Sequence, residues 1–352
     1  MNLETGVAPL GAPTVGEERT QAGRHTIAAV IPLYNGARFI EEALGSVLCQ
    51  TRPPDEIIVV DDGSSDQGPE LVAKMALRGP ITLILKPNGG QSSARNLGIR
   101  SSKSSLIALL DQDDLWYPRH LELLERPFLF HPEADRIGWV SSDLDVMDEK
   151  GNLTQRQALL WYDKMNDKTN LIHYIREDLF ILPSASIFLK SAFDSVGGFD
   201  EELSGYEDDD FFLRLFLARY LNHRLNESLS GWRMHRGSSS QSATMARSRM
   251  RYARKLFSLF PDGACSDQLS SRYIAPRFLK TIIFDDLVPA MKSRNFEALD
   301  PIVQNLEQIM EFATPKLQRK MRLRIKLIKF SAKLNSKVVL TFVARRLRKM
   351  WH

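Results

Sequence analysis

The sequence predicts an α/β protein with a mostly parallel sheet flanked by helices and a helical C-terminal extension. Two observations predict this class. Short apolar runs alternate with amphipathic helical stripes as far as Leu110, and a helical pattern begins beyond Gln241. The predicted strands are continuous apolar runs, as expected of strands buried on both faces. The 352 residues allow one large domain with a smaller element, or two modest domains.

The first part of the chain predicts strands and helices in alternation. Apolar runs predict strands at 27–31, 56–60, 81–85 and 106–110. After the first strand, the apolar residues Ile40, Ala43, Leu44, Val47 and Leu48 have the spacing of an amphipathic helix that ends before Pro53. Further helices are predicted through 71–77 and from about Ser92. These βαβ units should bring the carboxyl ends of the strands to one edge of the sheet.

The second half of the chain has a different pattern. The segments 137–146 and 153 onward, joined at 149–152, predict a hairpin, 186–189 predicts a strand, and 207–220 a helix. Beyond Gln241 the helical pattern is broken at Pro261, Pro289 and Pro315. We therefore predict an α/β domain at 26–240 and a helical C-terminal region at 241–352. The first 25 residues lack the apolar core of a signal peptide and predict a flexible lead.

Charge and cysteine content exclude several classes of protein. The net charge is +4, but 13 Lys/Arg and no Asp/Glu lie in 312–352, which leaves 34 Lys/Arg against 43 Asp/Glu in the preceding residues. The acidic net charge of the residues before 312, together with the lack of a recognisable nucleic-acid-binding motif, disfavours nucleic-acid binding. Two cysteines exclude a disulfide framework or a cysteine-rich zinc site. The low cysteine content makes a reducing cytoplasm the expected compartment. No apolar run reaches the roughly 18 residues of a membrane span, so we expect a soluble protein, or at most one that is peripheral on the cytoplasmic membrane face.

Acidic residues gather in three clusters, two of them directly after predicted strands. Asp61 and Asp62 follow the second strand, and Asp111, Asp113 and Asp114 follow the fourth. The third cluster, 207–210, opens a predicted helix. Because ligands of an open parallel sheet bind beyond the carboxyl ends of its strands, these carboxylates suit a hard divalent cation that bridges to phosphate oxygens.

Each cluster also has a structural interpretation. Asp residues after a strand are common in turns and helix caps, so 61–64 taken alone predicts a turn and a functional site equally. The acidic run at 207–210, taken alone, is better explained by the helix dipole. The cluster at 111–114 fits a structural role less well, because neighbouring carboxylates repel one another without a cation.

A glycine-containing turn at 88–96 precedes a predicted helix, where backbone amides can meet phosphate. It has neither the P-loop ending nor the dinucleotide-binding spacing, so neither an NTPase nor a nicotinamide enzyme is predicted. Arg95 in this segment could pair with phosphate or with the acidic edge of the sheet. His235 follows a predicted strand among polar residues, and a lone histidine is by itself more often structural.

Together these segments resemble the family 2 glycosyltransferases, whose GT-A fold has a Rossmann-like, mostly parallel sheet. The matching segments are IPLYN at 31–35, VVDDGSSD at 59–66, NGGQSSARNLG at 88–98, LLDQDD at 109–114, VGGFDE at 196–201 and EDDDFFLRL at 207–215. The resemblance implies a nucleotide-binding half at 26–115 and an acceptor-side half at 116–240. It also implies a nucleotide-diphosphate sugar donor, a Mn²⁺ or Mg²⁺ ion, and inversion at the anomeric carbon.

The resemblance assigns roles to individual residues. Asp208 would be the general base, although Asp209 and Asp210 leave open which carboxylate of the cluster acts. Asp62 would bind the donor base, and Arg95 would lie near the nucleotide phosphates or the acidic edge. The residues implied to bind the donor nucleotide are Pro32, Tyr34, Asn35, Asp62, Arg95 and Asp111. The implied metal ligand is Asp113, with Asp114 and His235 as further candidates.

These inferences predict an enzyme that adds one sugar per encounter, since the Gln-x-x-Arg-Trp motif of the family's processive synthases is absent. A saccharide or lipid-linked saccharide acceptor is expected, in polysaccharide, lipopolysaccharide or other glycoconjugate assembly. Two alternatives remain open from sequence. One is a catalytically silent nucleotide-sugar-binding protein, and the other is a nucleotidyltransferase, which would consume a nucleoside triphosphate and release pyrophosphate.

The basic tail at 316–352 alternates Lys and Arg with apolar residues. Around 320–327 the alternation is typical of a strand, whereas Leu323, Leu327, Phe330 and Leu334 fit one helical stripe. Two interpretations stay open: a helix packed on the catalytic domain with a solvated basic face, or a segment attracted to anionic lipid.

Overall fold

A computed structural model describes residues 24–77, 79–161, 170–235, 237, 243–263, 268–293, 295 and 297–333. The strands of these residues form one nine-stranded sheet in the order β3-β2-β1-β4-β8-β6-β9-β5, with β7 paired to β6. The strands are β1 (Ile27–Leu33), β2 (Glu56–Asp61), β3 (Ile81–Leu85), β4 (Leu106–Leu109), β5 (Leu115–Trp116), β6 (Ile137–Met147), β7 (Leu153–Gln155), β8 (Ser186–Leu189) and β9 (Leu221–Arg233).

The helices fall into two groups along the chain. Those before residue 240 are α1 (Ile40–Leu48), α2 (Gly68–Ala76), α3 (Gln91–Ser101), α4 (His120–Phe130), α5 (Ala158–Trp161), α6 (Leu171–Arg176), α7 (Lys190–Val196) and α8 (Glu207–Leu217). Those after it are α9 (Ala243–Leu259), α10 (Ala275–Thr281), α11 (Val288–Ser293), α12 (Leu299–Met310) and α13 (Pro315–Lys333). Short 3₁₀ turns occur at Ala134–Arg136 and Pro183–Ala185, and π-helical turns at Ser270–Ile274 and Ile282–Leu287.

The four strands predicted in the first part of the chain are present and pair in parallel, with β1 between β2 and β4 and with β3 beyond β2. Every residue of β1 is buried, as its unbroken apolar run predicted. Helix α2 begins three residues earlier than predicted, at Gly68, because the Asp66 carboxylate accepts the backbone N–H of Gly68 and Pro69 follows in the first turn.

The second half of the sheet is mixed rather than parallel. β8 runs antiparallel to both β4 and β6, and the predicted hairpin of β6 and β7 is present. The helix predicted at 207–220 ends at Leu217, because Arg219 adopts a left-handed backbone (φ 72°) and β9 begins at Leu221. β9 then pairs in parallel with β6 and returns to the site edge at Arg233.

The described residues divide into two compact units, one within 24–171 and 179–241, the other within 172–178 and 242–333. The short segment 172–178, placed by the sequence in the acceptor-side half, therefore belongs to the C-terminal unit. In that unit Pro315 begins α13, and Pro261 follows the end of α9, while Pro289 lies in the first turn of α11 without breaking it. None of the helices that the structure describes is long and apolar enough to cross a bilayer. The predicted lead at 1–25 and the tail beyond 333 lie almost wholly outside the described residues.

Helix α3 lies directly on the sheet at Gly98, which gives a stability prediction. A Cβ at this position would lie 2.5 Å from Val30 Cγ1 and 3.0 Å from Val60 Cγ2. We expect Gly98→Ala to lower the free energy of unfolding by about 1–3 kcal/mol, because the helix must move off β1 and β2. Urea unfolding measures the change. Gly45→Ala in α1 is the matched control: no atom lies within 4 Å of the added Cβ, so the variant should be neutral or stabilised by about 0.5–1 kcal/mol. Equal losses in both variants would contradict the prediction.

Candidate active site

The site lies at the edge of the sheet where the carboxyl ends of β1, β2 and β4 meet. Leu33, the last residue of β1, is in register with Asp61, the last residue of β2, and Val30 is in register with Leu109 of β4. The segments that follow these strands therefore converge, as the predicted topology required. This edge is the place where ligands bind to open α/β sheets.

Asp62 holds the glycine turn that precedes α3. Its buried carboxylate accepts the backbone N–H groups of Gly89 (2.9 Å) and Gly90 (2.7 Å), and Lys86 donates to the same oxygen as Gly89. Gly63 makes the approach of the two loops possible, because it has a φ of 77° and a Cβ there would lie 2.9 Å from the backbone nitrogen of Asn88. The role of Asp62 toward a donor base stays a prediction; in this structure its carboxylate organises the turn.

The segment after β1 is held by hydrogen bonds to the loops that follow β2 and β4. Pro32 is buried in β1, whereas the Tyr34 side chain is exposed at the edge. Gln112 binds the Tyr34 backbone twice, accepting its N–H at 2.8 Å and donating to its carbonyl at 3.1 Å. Asn35 has a left-handed backbone (φ 48°), and its side-chain oxygen accepts the N–H of Ser65 at 2.8 Å. Two residues implied to bind the donor, Tyr34 and Asn35, thus border an ordered, open edge.

Arg95 joins two of the three acidic clusters. It is 1% exposed, and its guanidinium donates to Asp111 Oδ1 at 2.6 Å and to Glu207 Oε1 at 2.9 Å. Burial alone would lower the pKa of Arg95, but the carboxylates of Asp111 and Glu207 raise it above its ordinary value. Of the two interpretations that the sequence left open, this arrangement matches the ion pair with the acidic edge. Gln91 also donates to Asp111 Oδ1, at 2.9 Å.

The carboxylates of Asp113 and Asp114 point to different partners. Asp113 Oδ2 lies 2.7 Å from His235 Nε2, on the partly exposed side of the loop. Asp114 is 2% exposed and accepts the backbone N–H of Arg233 at 2.9 Å. Burial raises the pKa of both carboxyl groups, and Asp111 raises them further, whereas the hydrogen bond from His235 opposes the shift at Asp113.

Arg233 is a structural residue of the site that the sequence analysis did not single out. Besides the bond to Asp114, its Nε donates to the backbone carbonyl of Asp113 at 2.8 Å, and its guanidinium pairs with Glu42 on α1 at 2.8 Å. It therefore positions the turn that carries the two carboxylates. Its position two residues before His235 was the only sequence signal, because its partner Glu42 lies 191 residues away in the chain.

The acidic run at the start of α8 is divided among several partners. Glu207 pairs with Arg95, Asp209 accepts the backbone N–H of Leu179 at 3.1 Å, and Asp210 pairs with Arg214 at 2.8 Å. Asp208 is more exposed than the other three, and its carboxylate accepts only the neighbouring N–H of Asp209, at 2.8 Å, among the described residues. Burial, followed by the charges of Glu207 and Asp209, raises the pKa of Asp208 well above its ordinary value.

The donor set fits a divalent cation only in part. Within the described ranges no group of three or more His, Cys, Asp or Glu side chains has the geometry to hold a metal ion. Asp113 and His235 do lie together, whereas Asp114 is turned toward Arg233 and Ser184. Mg²⁺ and Mn²⁺ sites that serve phosphate chemistry commonly use one or two protein ligands, and substrate phosphate and water supply the rest. The pair therefore fits such an ion, while Asp114 as a third ligand stays a prediction.

The fold and the arrangement of carboxylates at its edge define a GT-A glycosyltransferase, and the comparisons with known proteins identify the family. Residues 28–197 match the family model "Glycosyl transferase family 2". An uncharacterized glycosyltransferase of Bacillus subtilis, YwdF, is 30% identical over 194 residues, which cover 53% of this chain and 67% of that protein. The chain therefore belongs to the family 2 glycosyltransferases, and the predicted family and fold class are confirmed.

Other relatives share only a part of their length with this chain. The uncharacterized glycosyltransferase RC0461 of Rickettsia conorii is 30% identical over 197 residues, which cover 54% of this chain and 32% of that protein. The chain spans about a third of the length of the Rickettsia proteins it matches first.

Two solved structures share the fold over most of the chain. Residues 1–349 of TarS from S. aureus in complex with UDP-GlcNAc align with a TM-score of 0.60 and 17% identity, covering 92% of each chain. The mannosyltransferase PcManGT from Pyrobaculum calidifontis, in complex with GDP-Man and Mn²⁺, aligns with a TM-score of 0.52 and 18% identity, covering 94% of this chain and 88% of that one. At these identities the likeness shows the fold alone.

Proposed function

We propose that this protein transfers one sugar from a nucleotide-diphosphate sugar to an acceptor hydroxyl, with inversion at the anomeric carbon. The observation that carries the proposal is the environment of Asp208. Its three acidic neighbours are bound to Arg95, Arg214 and the Leu179 backbone, so Asp208 is the member of the cluster left to meet a substrate. This supports its assignment as the general base among the four carboxylates.

In the proposed mechanism Asp208 accepts the proton of the acceptor hydroxyl as that oxygen attacks the sugar. A hydroxyl is a weak nucleophile at neutral pH, so a carboxylate within hydrogen-bond reach lowers the barrier as the proton leaves. The raised pKa of Asp208 favours this step, because a base is most effective when its pKa approaches the working pH. The Asp208 carboxylate is held at the N-terminus of α8 by the N–H of Asp209, which fixes its direction.

The donor would bind at the edge formed by Tyr34, Asn35 and the loop of Asp111. The pair Asp113 and His235 would hold a Mn²⁺ or Mg²⁺ ion, which neutralises the charge that develops on the departing nucleotide diphosphate. That neighbours of this fold are described with UDP-GlcNAc, or with GDP-Man and Mn²⁺, supports a nucleotide-sugar donor and a divalent ion here. Asp62 would bind the base of the donor nucleotide. For this, the turn at 86–90, which the Asp62 carboxylate holds in this structure, would have to change its conformation.

We further propose a saccharide or lipid-linked saccharide as acceptor, in the assembly of a polysaccharide, lipopolysaccharide or other glycoconjugate at the cytoplasmic membrane face. The basic tail at 316–352 supports this, since its Lys and Arg residues are attracted to anionic lipid.

Thermal unfolding with nucleotides tests the donor site. We expect one of UDP, GDP, CDP or dTDP to stabilise the protein in the presence of Mn²⁺ and to lose most of this effect with EDTA. A ligand at about 100 times its Kd adds about 2.7 kcal/mol of stability. Asp113→Asn should remove the metal-dependent part, whereas Asp194→Asn on the exposed face of α7 should not.

Three results would contradict the proposal. Stabilisation by none of the nucleotides would argue against a donor site. Pyrophosphate release from a nucleoside triphosphate would identify a nucleotidyltransferase. Tight nucleotide-sugar binding without turnover on a panel of saccharide and lipid-linked acceptors would identify a silent binding protein.

A further inference from the structure

Helix α13 has two apolar stripes, and only one of them is buried. Met321, Ile325 and Ile328 recur at the spacing of one helical face and are at most 3% exposed, on the side where α13 packs against α12. The helical stripe noted in the sequence, one of two patterns left open there, is a different one: its members Leu323 and Phe330 are 66% and 57% exposed. The described part of the tail is helical as far as Lys333, and its buried face is not that stripe.

The second stripe lies on the opposite side of the helix. At 3.6 residues per turn, Leu323 and Phe330 lie about 160–200° around the axis from Met321, and two turns apart along it. Neither Leu323 nor Phe330 is part of the face of α13 that is buried in its own unit. Leu323 and Phe330 are therefore two large apolar side chains on the exposed face of α13, opposite its buried face.

The charges around this stripe indicate what kind of partner fits. Pro315–Lys333 contains eight Lys/Arg and no Asp/Glu. Lys316, Arg319 and Lys326 are exposed and lie within about 60° of the stripe, on both sides of it. We call Leu323, Phe330 and these three basic residues the outer face of α13. Apolar residues flanked by Lys and Arg are typical of helices that lie in the plane of a membrane interface.

We propose that the outer face of α13 binds the surface of a bilayer containing anionic phospholipid, with Leu323 and Phe330 inserted between the head groups. The inference deepens the proposed function, on which its biological use rests, because an enzyme held at a bilayer meets lipid-linked acceptors directly. Binding to the bilayer can nevertheless be measured without any sugar transfer.

Other occupants of the outer face fit less well. Residues 334–352 of the same chain carry five more Lys/Arg and no Asp/Glu, so like charge opposes their binding to this face. A second copy of α13 meets the same repulsion. Nucleic acid would satisfy the basic residues but not the central apolar pair, which needs a hydrocarbon boundary.

Co-sedimentation of the full chain with vesicles tests the proposal. Leu323→Gln/Phe330→Gln keeps the charge and should lower the partition coefficient on phosphatidylcholine–phosphatidylglycerol vesicles by at least about tenfold. Lys316→Gln/Arg319→Gln/Lys326→Gln should lower it by roughly 100-fold, since each basic residue contributes about a factor of five. The wild type should bind vesicles of phosphatidylcholine alone weakly. Leu77→Gln/Phe130→Gln, at sites 88% and 77% exposed on the α/β unit, is the matched control and should bind as the wild type does.

Several outcomes would overturn the proposal. If the Leu323/Phe330 variant binds anionic vesicles as strongly as the wild type does, and only the basic variant loses binding, then the attraction is a diffuse electrostatic one and no apolar face is inserted. No binding of the wild type to anionic vesicles would exclude the proposal altogether. Unchanged thermal unfolding and unchanged stabilisation by nucleotide show that each variant is folded and keeps its donor site, so a failure here is distinguishable from a failure of the proposed function.

Discussion

Asp208→Asn lowers the rate of sugar transfer by a factor of about 10² to 10⁴, with donor binding nearly unchanged. The amide keeps the size of the side chain but cannot accept the proton of the acceptor hydroxyl, and that is the range over which general bases contribute. Steady-state kinetics with the donor found by thermal unfolding measure kcat, and nucleotide-induced stabilisation reports donor binding separately.

Asp194→Asn is the control for this substitution. Asp194 is half exposed, pairs with Lys190 and lies outside the site, so its loss should leave kcat unchanged. Full transfer activity in Asp208→Asn would refute the assignment of the base and direct attention to Glu207, whose second carboxylate oxygen is buried and has no hydrogen-bond partner among the residues that the structure describes.

The same assignment predicts the direction of the pH dependence. A base acts in its deprotonated form, and burial together with Glu207 and Asp209 raises the pKa of Asp208. The rate should therefore fall as the pH decreases through this raised pKa. An ordinary aspartate titrates near about pH 4, so the acidic limb of the pH–rate profile should lie above that range. A limb at or below that range would contradict the raised pKa.

Arg95→Met lowers the free energy of unfolding by about 3–5 kcal/mol. Removing one partner of a buried ion pair leaves the other charge without compensation, and here two carboxylates, Asp111 and Glu207, lose their shared cation. Urea unfolding at neutral pH measures the loss.

Two further variants make this result specific. Arg136→Met breaks an exposed pair with Glu133 and should cost less than about 1 kcal/mol. Arg95→Met/Glu207→Gln should be more stable than Arg95→Met alone, because one buried charge is removed with its partner. If Arg95→Met unfolds no more easily than Arg136→Met, the bridge between the two clusters does not contribute to stability.

The parallel half of the fold was predictable, and the reason is local. β1 to β4 are continuous apolar runs that turn signals separate, and the structure places each within two residues of its predicted bounds. Of β9 the sequence predicted only a strand that ends shortly before His235, and not its full 13 residues, because burial along it is irregular and its pairing with β6 contains register shifts. Its pairing is decided by partners 80 or more residues away, which no window of sequence contains.

The phase of α13 shows the same limit at the level of one helix. Its sequence contains two apolar stripes, and the alternation of Lys/Arg with apolar residues does not indicate which of the two is buried. Packing against α12 selects Met321, Ile325 and Ile328. Only the neighbouring helix could decide this.

The sequence by itself determined the family, the parallel half of the sheet and the convergence of the acidic clusters that follow its strands, because parallel strands bring their carboxyl ends to one edge. Only the tertiary structure decided how those acids are used. Arg95 pairs with Asp111 and Glu207, which lie 16 and 112 residues away in the chain. The backbone N–H of Arg233 binds Asp114, and His235 contacts Asp113 across 122 residues. Ion pairs and hydrogen bonds depend on ångström-scale distances between elements, and those distances arise from packing rather than from spacing along the chain.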